Sequence, residues 1–169
     1  LKNNFFTFTK EHKVHIFSLD KYLQELIESS LRKYSFSINE QNITPLLIGE
    51  PITLEPSLLS NFELIQNFLK NLGAEIDFLT QESIIVRTIP SWINNLPIKE
   101  IIKSIIIALK QETIITEEIF FKKILPNFKI EDSSSFSTHQ INEIINSKLE
   151  EDTALRIINS NYIESLFKQ

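Results

Sequence analysis

The stretch Thr44–Pro90, TPLLIGEPITLEPSLLSNFELIQNFLKNLGAEIDFLTQESIIVRTIP, decides how this chain is read. Pro45–Ile48 and Ile52–Leu54 are short apolar runs with extended character. Glu55, Pro56 and Ser57 then open a helix, where Pro56 suits a first turn that needs no N–H. Leu58, Leu59, Phe62, Ile65, Phe68, Leu69 and Leu72 recur at helical spacing and form its buried face. Gly73 suits the left-handed residue just past a helix end. Ala74–Leu79 and Ser83–Ile89 follow as a hairpin over the turn residues TQE. The segment therefore supplies strand, helix and hairpin from one continuous piece.

Upstream, Phe5–Thr9 (FFTFT) and Val14–Ser18 (VHIFS) form paired strands around KEHK; their Phe, Val, Ile and Thr content suits a half-buried pleat. Ser18 caps the next helix, along which Leu19, Tyr22, Leu23, Leu26, Ile27 and Leu31 follow helical spacing. The polar run between Tyr34 and Asn42 is a crossing into a second lobe. Downstream, Asn95 and Pro97 mark the start of Ile98–Leu109, apolar almost all round and so buried between layers. Thr116 with Glu117 and Glu118 starts another helix, ending near Pro126. Lys129–Phe136 is a polar loop. Ser137 and Gln140 have capping-box spacing ahead of a helix over Thr138–Leu149. Ala154–Ile158 reads as a strand and Tyr162–Phe167 as a last short helix.

Composition bounds the function. The chain has 169 residues, 42% apolar and 23% charged, which is ordinary for a globular protein. Heavy use of Ile, Asn and Lys reflects coding bias. The absence of Cys excludes a disulfide framework, thiolate metal sites and a Cys nucleophile. The absence of Met, even at position 1, suggests a domain of something longer. No signal peptide is recognisable, and Ile101–Leu109 is too short to span a bilayer. These features fit the cytoplasm. A net charge of −5 argues against tight autonomous DNA binding, since that affinity comes from Lys and Arg on phosphates. Lys122, Lys123 and Lys129 sit among Glu117, Glu118, Glu131 and Asp132 and read as a solvated face.

The catalytic inventory is nearly empty. His12, His15 and His139 lack the spacing of a zinc site and read as surface or strand-edge residues. There is no nucleophile elbow and no Walker loop, and the only glycines are Gly49 and Gly73, which leaves no glycine-rich phosphate cradle. Glu150, Glu151 and Asp152 read as a polar loop. No catalytic, cofactor-binding or metal-ligating residue is nominated.

The PLLI run at 45–48, the Leu-Gly helix stop at 72–73 and the closing VRTIP at 86–90 together resemble the C-terminal domain of MutL, the mismatch-repair protein. The resemblance implies an α/β fold of two lobes, each a small sheet packed by helices. An inner dimerisation subdomain would comprise 1–42 and 129–169, and an outer regulatory subdomain inserted into it would comprise 43–128. It implies a homodimer tethering two N-terminal ATPase modules that this chain does not contain. In a bacterial, nucleoid-associated setting, such a dimer couples mismatch recognition by MutS to nicking by MutH and unwinding by a repair helicase. Contact with DNA would come through the whole protein. Apolar residues of the first strands, first helix and last helix are the expected interface: Phe6, Phe8, Tyr22, Leu26, Ile163 and Phe167.

Many relatives carry a metal-dependent nuclease signature, DQHAxxER, where this chain has Ser18-Leu19-Asp20-Lys21-Tyr22-Leu23-Gln24-Glu25. Ser18, Asp20 and Gln24 replace the ligating Asp, His and Glu. A late Cys-Pro-His-Gly-Arg-Pro motif is also missing, with Thr153-Ala154-Leu155-Arg156 leading into the last strand instead. The resemblance thus points to the branch without nicking activity and to no cofactor in this domain. The family's sliding-clamp motif falls on Thr44, Pro45, Leu46, Leu47, Ile48 and Gly49, which keep the aliphatic centre but lose the Gln and Pro. A plain strand buried in the outer lobe is the simpler reading of that segment. Two alternatives stand beside the dimer: a divergent metal-dependent nuclease using Asp20, Glu25 and the 150–152 carboxylates, and a monomeric adaptor docking a clamp or helicase.

Overall fold

Two adjacent left-handed residues begin the fold. Glu11 (φ 50°) and His12 (φ 60°) turn the chain between β1 (Phe5–Lys10) and β2 (Lys13–Ser18). Positive φ at both central residues matches the right-handed twist of the flanking strands, so a tight hairpin closes with Lys10 opposite Lys13. The computed structural model describes residues 4–34, 43–110, 112, 114–147 and 154–158. The expected crossing at 35–42, the acidic cluster at 150–152 and the last helix at 162–167 lie outside the described residues.

β6 (Leu155–Ile158) returns from the far end of the chain to pair antiparallel with β2, giving an inner sheet of order β1-β2-β6. Ser18 ends β2 and caps α1 (Leu19–Tyr34), its hydroxyl accepting from the Lys21 N–H at 3.3 Å. The second sheet is built wholly from β3 (Ile43–Thr53), β4 (Ile76–Thr80) and β5 (Ser83–Pro90), in the order β3-β5-β4. The result is an α/β fold of two small antiparallel sheets packed by helices, as expected from the sequence.

Two expectations for the middle of the chain are corrected. The apolar runs at 45–48 and 52–54 are one strand, β3, interrupted by a bulge. Pro45 lies opposite Thr88 and Glu50 opposite Val86, so β3 spends five steps where β5 spends two. Gly49 makes the bulge possible, because a Cβ there would come within 2.7 Å of Ile85 side-chain carbons. The helix expected from Pro56 onward is also divided. Pro56–Leu58 is a single 3₁₀ turn, and α2 spans only Phe62–Asn71. Ser60 and Asn61 fall in the break, and the Ser60 hydroxyl donates back to the Ser57 carbonyl at 3.1 Å. Such side chains compete for local backbone groups and interrupt a helix without disturbing apolar periodicity.

The end of α2 matches its sequence signal in full. Gly73 has φ 88°; its N–H bonds the Lys70 carbonyl at 2.9 Å while the Ala74 N–H reaches the Leu69 carbonyl at 2.8 Å. Those two bonds are a Schellman closure, which only a residue tolerant of the left-handed region completes without strain.

α3 (Ile98–Leu109) is the central rod. Ile101, Ile102, Ile105, Ile106 and Leu109 are all buried, as the all-round apolar pattern requires. α4 (Glu117–Ile119) is capped by the Thr116 hydroxyl and widens into a π-helical turn over Phe120–Ile124. That widening accompanies the packing of Phe120 against Phe68 of α2, with tilted rings whose centroids are 4.8 Å apart. α5 (Thr138–Ser147) carries the expected capping box, with Ser137 Oγ accepting from the Gln140 N–H and Gln140 Oε1 accepting from the Ser137 N–H.

One core position works against stability. Ser104 on α3 is 1% exposed, and its hydroxyl meets no hydrogen-bond partner. Removing a buried unsatisfied hydroxyl removes its desolvation penalty, so Ser104→Ala is expected to raise unfolding free energy by about 1 kcal/mol. Urea unfolding checks this, with a shifted midpoint and an unchanged slope expected.

Candidate functional site

Pleating assigns the inner sheet's residues to two faces, because directly paired residues share a face and neighbours alternate. Phe6, Phe17 and Leu155 pair across one face, as do Phe8, His15 and Ile157. α1 covers the Phe17 part of this face, where Phe17 is buried with its ring 5.9 Å from Tyr22, while Ile157 at its β6 end is 54% exposed. Phe6 and Phe8 are half-buried against the same core, as is Leu26 on α1. Tyr22 is 9% exposed. Ile163 and Phe167, the other two expected interface residues, lie outside the described residues.

The opposite face carries Phe5, Thr7 and Thr9 of β1, Val14 and Ile16 of β2, and Arg156 and Ile158 of β6. Phe5 is 56% exposed, while Val14, Ile16 and Ile158 are only half-covered. The interface residues expected from these strands, Phe6 and Phe8, lie on the face that α1 packs against, and none was nominated from the opposite face. The alternation FFTFT held the signal, since neighbouring Phe5 and Phe6 must point to opposite sides. Alternation also corrects the reading of His15 as a surface or edge residue. It sits on the central strand, 7% exposed, stacked on Phe8 at 5.0 Å, with Nδ1 unpartnered. His139 is exposed and lies 3.5 Å from Glu143.

The positions matching the relatives' nuclease signature do something else here. Asp20 and Gln24 lie one turn apart on α1 and both reach the backbone of 126–130. Asp20 Oδ1 accepts from the Ile130 N–H and from Asn4 Nδ2, each at 2.9 Å. Asn4 Nδ2 also donates to the Ile130 carbonyl at 2.8 Å. Gln24 Nε2 donates to the Phe128 carbonyl at 2.9 Å and to the Pro126 carbonyl at 3.4 Å. Asn4 and Gln24 are buried, so these bonds satisfy groups that would otherwise be costly to enclose. Among the described residues, no three His, Asp or Glu side chains converge as a metal ion requires.

The segment matching the clamp motif is not a buried strand. Leu47 (105% exposed) and Ile48 (86% exposed) form the tip of the β3 bulge and project into solvent. The extra residues in β3 leave their side chains no place on the pleat, so the expectation of burial is overturned. The basic residues meet the expectation of a solvated face. Lys122 pairs with Glu118 at 2.8 Å and Lys123 with Glu112 at 2.7 Å.

A half-covered apolar sheet face, a helix packed behind it and a second sheet presenting an apolar tip together define an assembly domain. The family model described as the MutL C terminal dimerisation domain matches residues 1–126, about three quarters of the sequence, and the chain belongs to that family. A comparison with curated proteins finds no match.

Asp20 provides a direct test of the clasp. Asp20→Ala leaves the Ile130 N–H and the Asn4 amide without their acceptor, which is expected to cost about 2–4 kcal/mol. Thermal unfolding should show the loss, and the Ile130 amide should exchange faster than in the parent chain.

Proposed function

We propose that this domain joins two copies of a MutL protein through its inner sheet and so holds two N-terminal ATPase modules at high effective concentration. The family's dimerising role supports self-association. The observation that carries the choice of surface is the face of Phe5, Val14, Ile16 and Ile158, apolar and incompletely covered in the single chain. β1 and β2 have 6 residues each and β6 has 4, which together offer roughly 250 Å² of footprint. A stable interface buries about 800 Å² per partner, so neighbouring segments must contribute. Leu26 and the expected Ile163 and Phe167 are the candidates. Tyr22 is committed largely to the intramolecular core.

In this reading the inner lobe comprises 1–42 and 129–169, and 43–128 is an inserted regulatory lobe. The return of β6 to β2, across the whole intervening sheet, supports that division. Linkage is the mechanism. A lasting dimer turns encounter of the ATPase modules into an intramolecular event, allowing ATP to close them around DNA. Coupling of MutS recognition to nicking by MutH and unwinding by a helicase then follows from the assembled protein. The use of Asp20 and Gln24 as backbone clasps favours a non-catalytic domain over a divergent nuclease.

Two variants distinguish the surfaces. Phe5→Glu with Ile16→Glu is expected to yield folded monomer by sedimentation velocity, since charges on the outer sheet face would have to be buried on association. Leu26→Glu is expected to weaken the dimer less. A dimer that survives the first variant and is lost with the second would move the interface to α1.

A second reading concerns the outer lobe, and the exposure of Leu47 and Ile48 favours it. These two residues would enter the apolar pocket of a sliding clamp, weakly, because the Gln anchor is missing. Leu47→Ser with Ile48→Ser is expected to abolish clamp binding in a titration of the dimer without lowering its melting temperature. Equal binding by parent and variant would remove this reading.

A further inference from the structure

The two edges of the outer sheet are treated differently. β3, on one side, carries Pro45, Pro51 and the bulge, devices that keep another strand from pairing. β4, on the other, has the sequence IDFLT, with neither proline nor lysine, and exposes Phe78 (54%) and Leu79 (53%).

The ladder fixes which backbone groups β4 offers. The Arg87 N–H donates to the Glu75 carbonyl at 2.8 Å, so 75 and 77 bond inward to β5 while 76 and 78 face outward. The outward carbonyl of Ile76 is taken by Gln66 Nε2 at 2.7 Å. The outward N–H and carbonyl of Phe78 face no strand among the described residues. On one side of this edge Phe78 stacks on Phe62, centroids 3.7 Å apart, beside a groove of about 550 Å³ lined also by Leu59, Glu63 and Leu64. On the other side stands Leu79.

We propose that β4 is an open edge that takes up an extended, basic and apolar segment of a partner protein as a fourth strand. Backbone pairing at Phe78 would supply affinity, and alternate apolar side chains would rest on Phe62–Phe78 and on Leu79. Charge selects the occupant. Glu63, Glu75 and Glu82 are exposed around the edge against Lys70, while Asp77 and Arg87 pair with each other at 3.3 Å. A lysine- or arginine-bearing strand is therefore favoured. A second copy of this chain is disfavoured, because pairing two β4 edges would bring two acidic strips together.

The test uses the whole chain and a capped peptide of about eight residues alternating lysine with valine and phenylalanine. Calorimetric titration should detect binding that falls as salt rises, and the Phe78 amide should exchange more slowly in the complex. Phe78→Lys gives up the stack on Phe62, so it should lower the melting temperature by a few degrees while the chain stays folded, and weaken binding by at least about tenfold. Three outcomes would overturn the proposal: no binding at millimolar peptide, equal binding by a glutamate-for-lysine peptide, or unchanged binding by Phe78→Lys. Self-association of the parent chain that Phe78→Lys abolishes would overturn it as well, by assigning the edge to a second copy.

Discussion

Two side chains one helical turn apart tie together segments more than a hundred residues apart in sequence. Asp20 and Gln24 bind the backbone at 126–130, so α1 and the chain leaving α4 cannot move independently. Asn4 closes the same knot from the start of β1. Each bond contributes a net of only about 0.5–1.5 kcal/mol, somewhat more at the Asp20 carboxylate, but the groups are enclosed, and losing one partner strands the others. The inner sheet can then present a flat face outward, because α1 is fixed behind it. Where relatives bring ligands to a metal, this chain has placed an acceptor and a donor that its own backbone satisfies.

The same economy runs through both sheets. Each has one face against the common core, and the contacts proposed above use the rest of its surface. In the inner sheet the available surface is a face, that of Phe5 and Ile16. In the outer sheet it is the perimeter: the Leu47–Ile48 tip at one edge and the Phe78 strand at the other.

Much of this was legible from residues alone. The Gly73 stop, the Ser137–Gln140 capping box and the all-round apolar α3 each rest on a local rule that tertiary packing did not overrule. The failures share a cause. The break at Ser60–Asn61 and the bulge at Leu46–Gly49 interrupt regular structure without interrupting hydrophobicity, so periodicity passed over both. The clasp of Asp20 and Gln24 was invisible because its partners are backbone groups more than a hundred residues away. The outer face of the inner sheet was within reach, since strict alternation separates Phe5 from Phe6, while the expected interface residues Phe6 and Phe8 were drawn from the other face.

The solution mass of the parent chain tests the central claim most directly. Light scattering coupled to size exclusion, repeated through serial dilution in the micromolar range, should give about twice the 19.7 kDa of one chain at every step. A mass of one chain throughout would contradict the account, leaving the half-covered face of Phe5, Val14, Ile16 and Ile158 without the partner proposed for it.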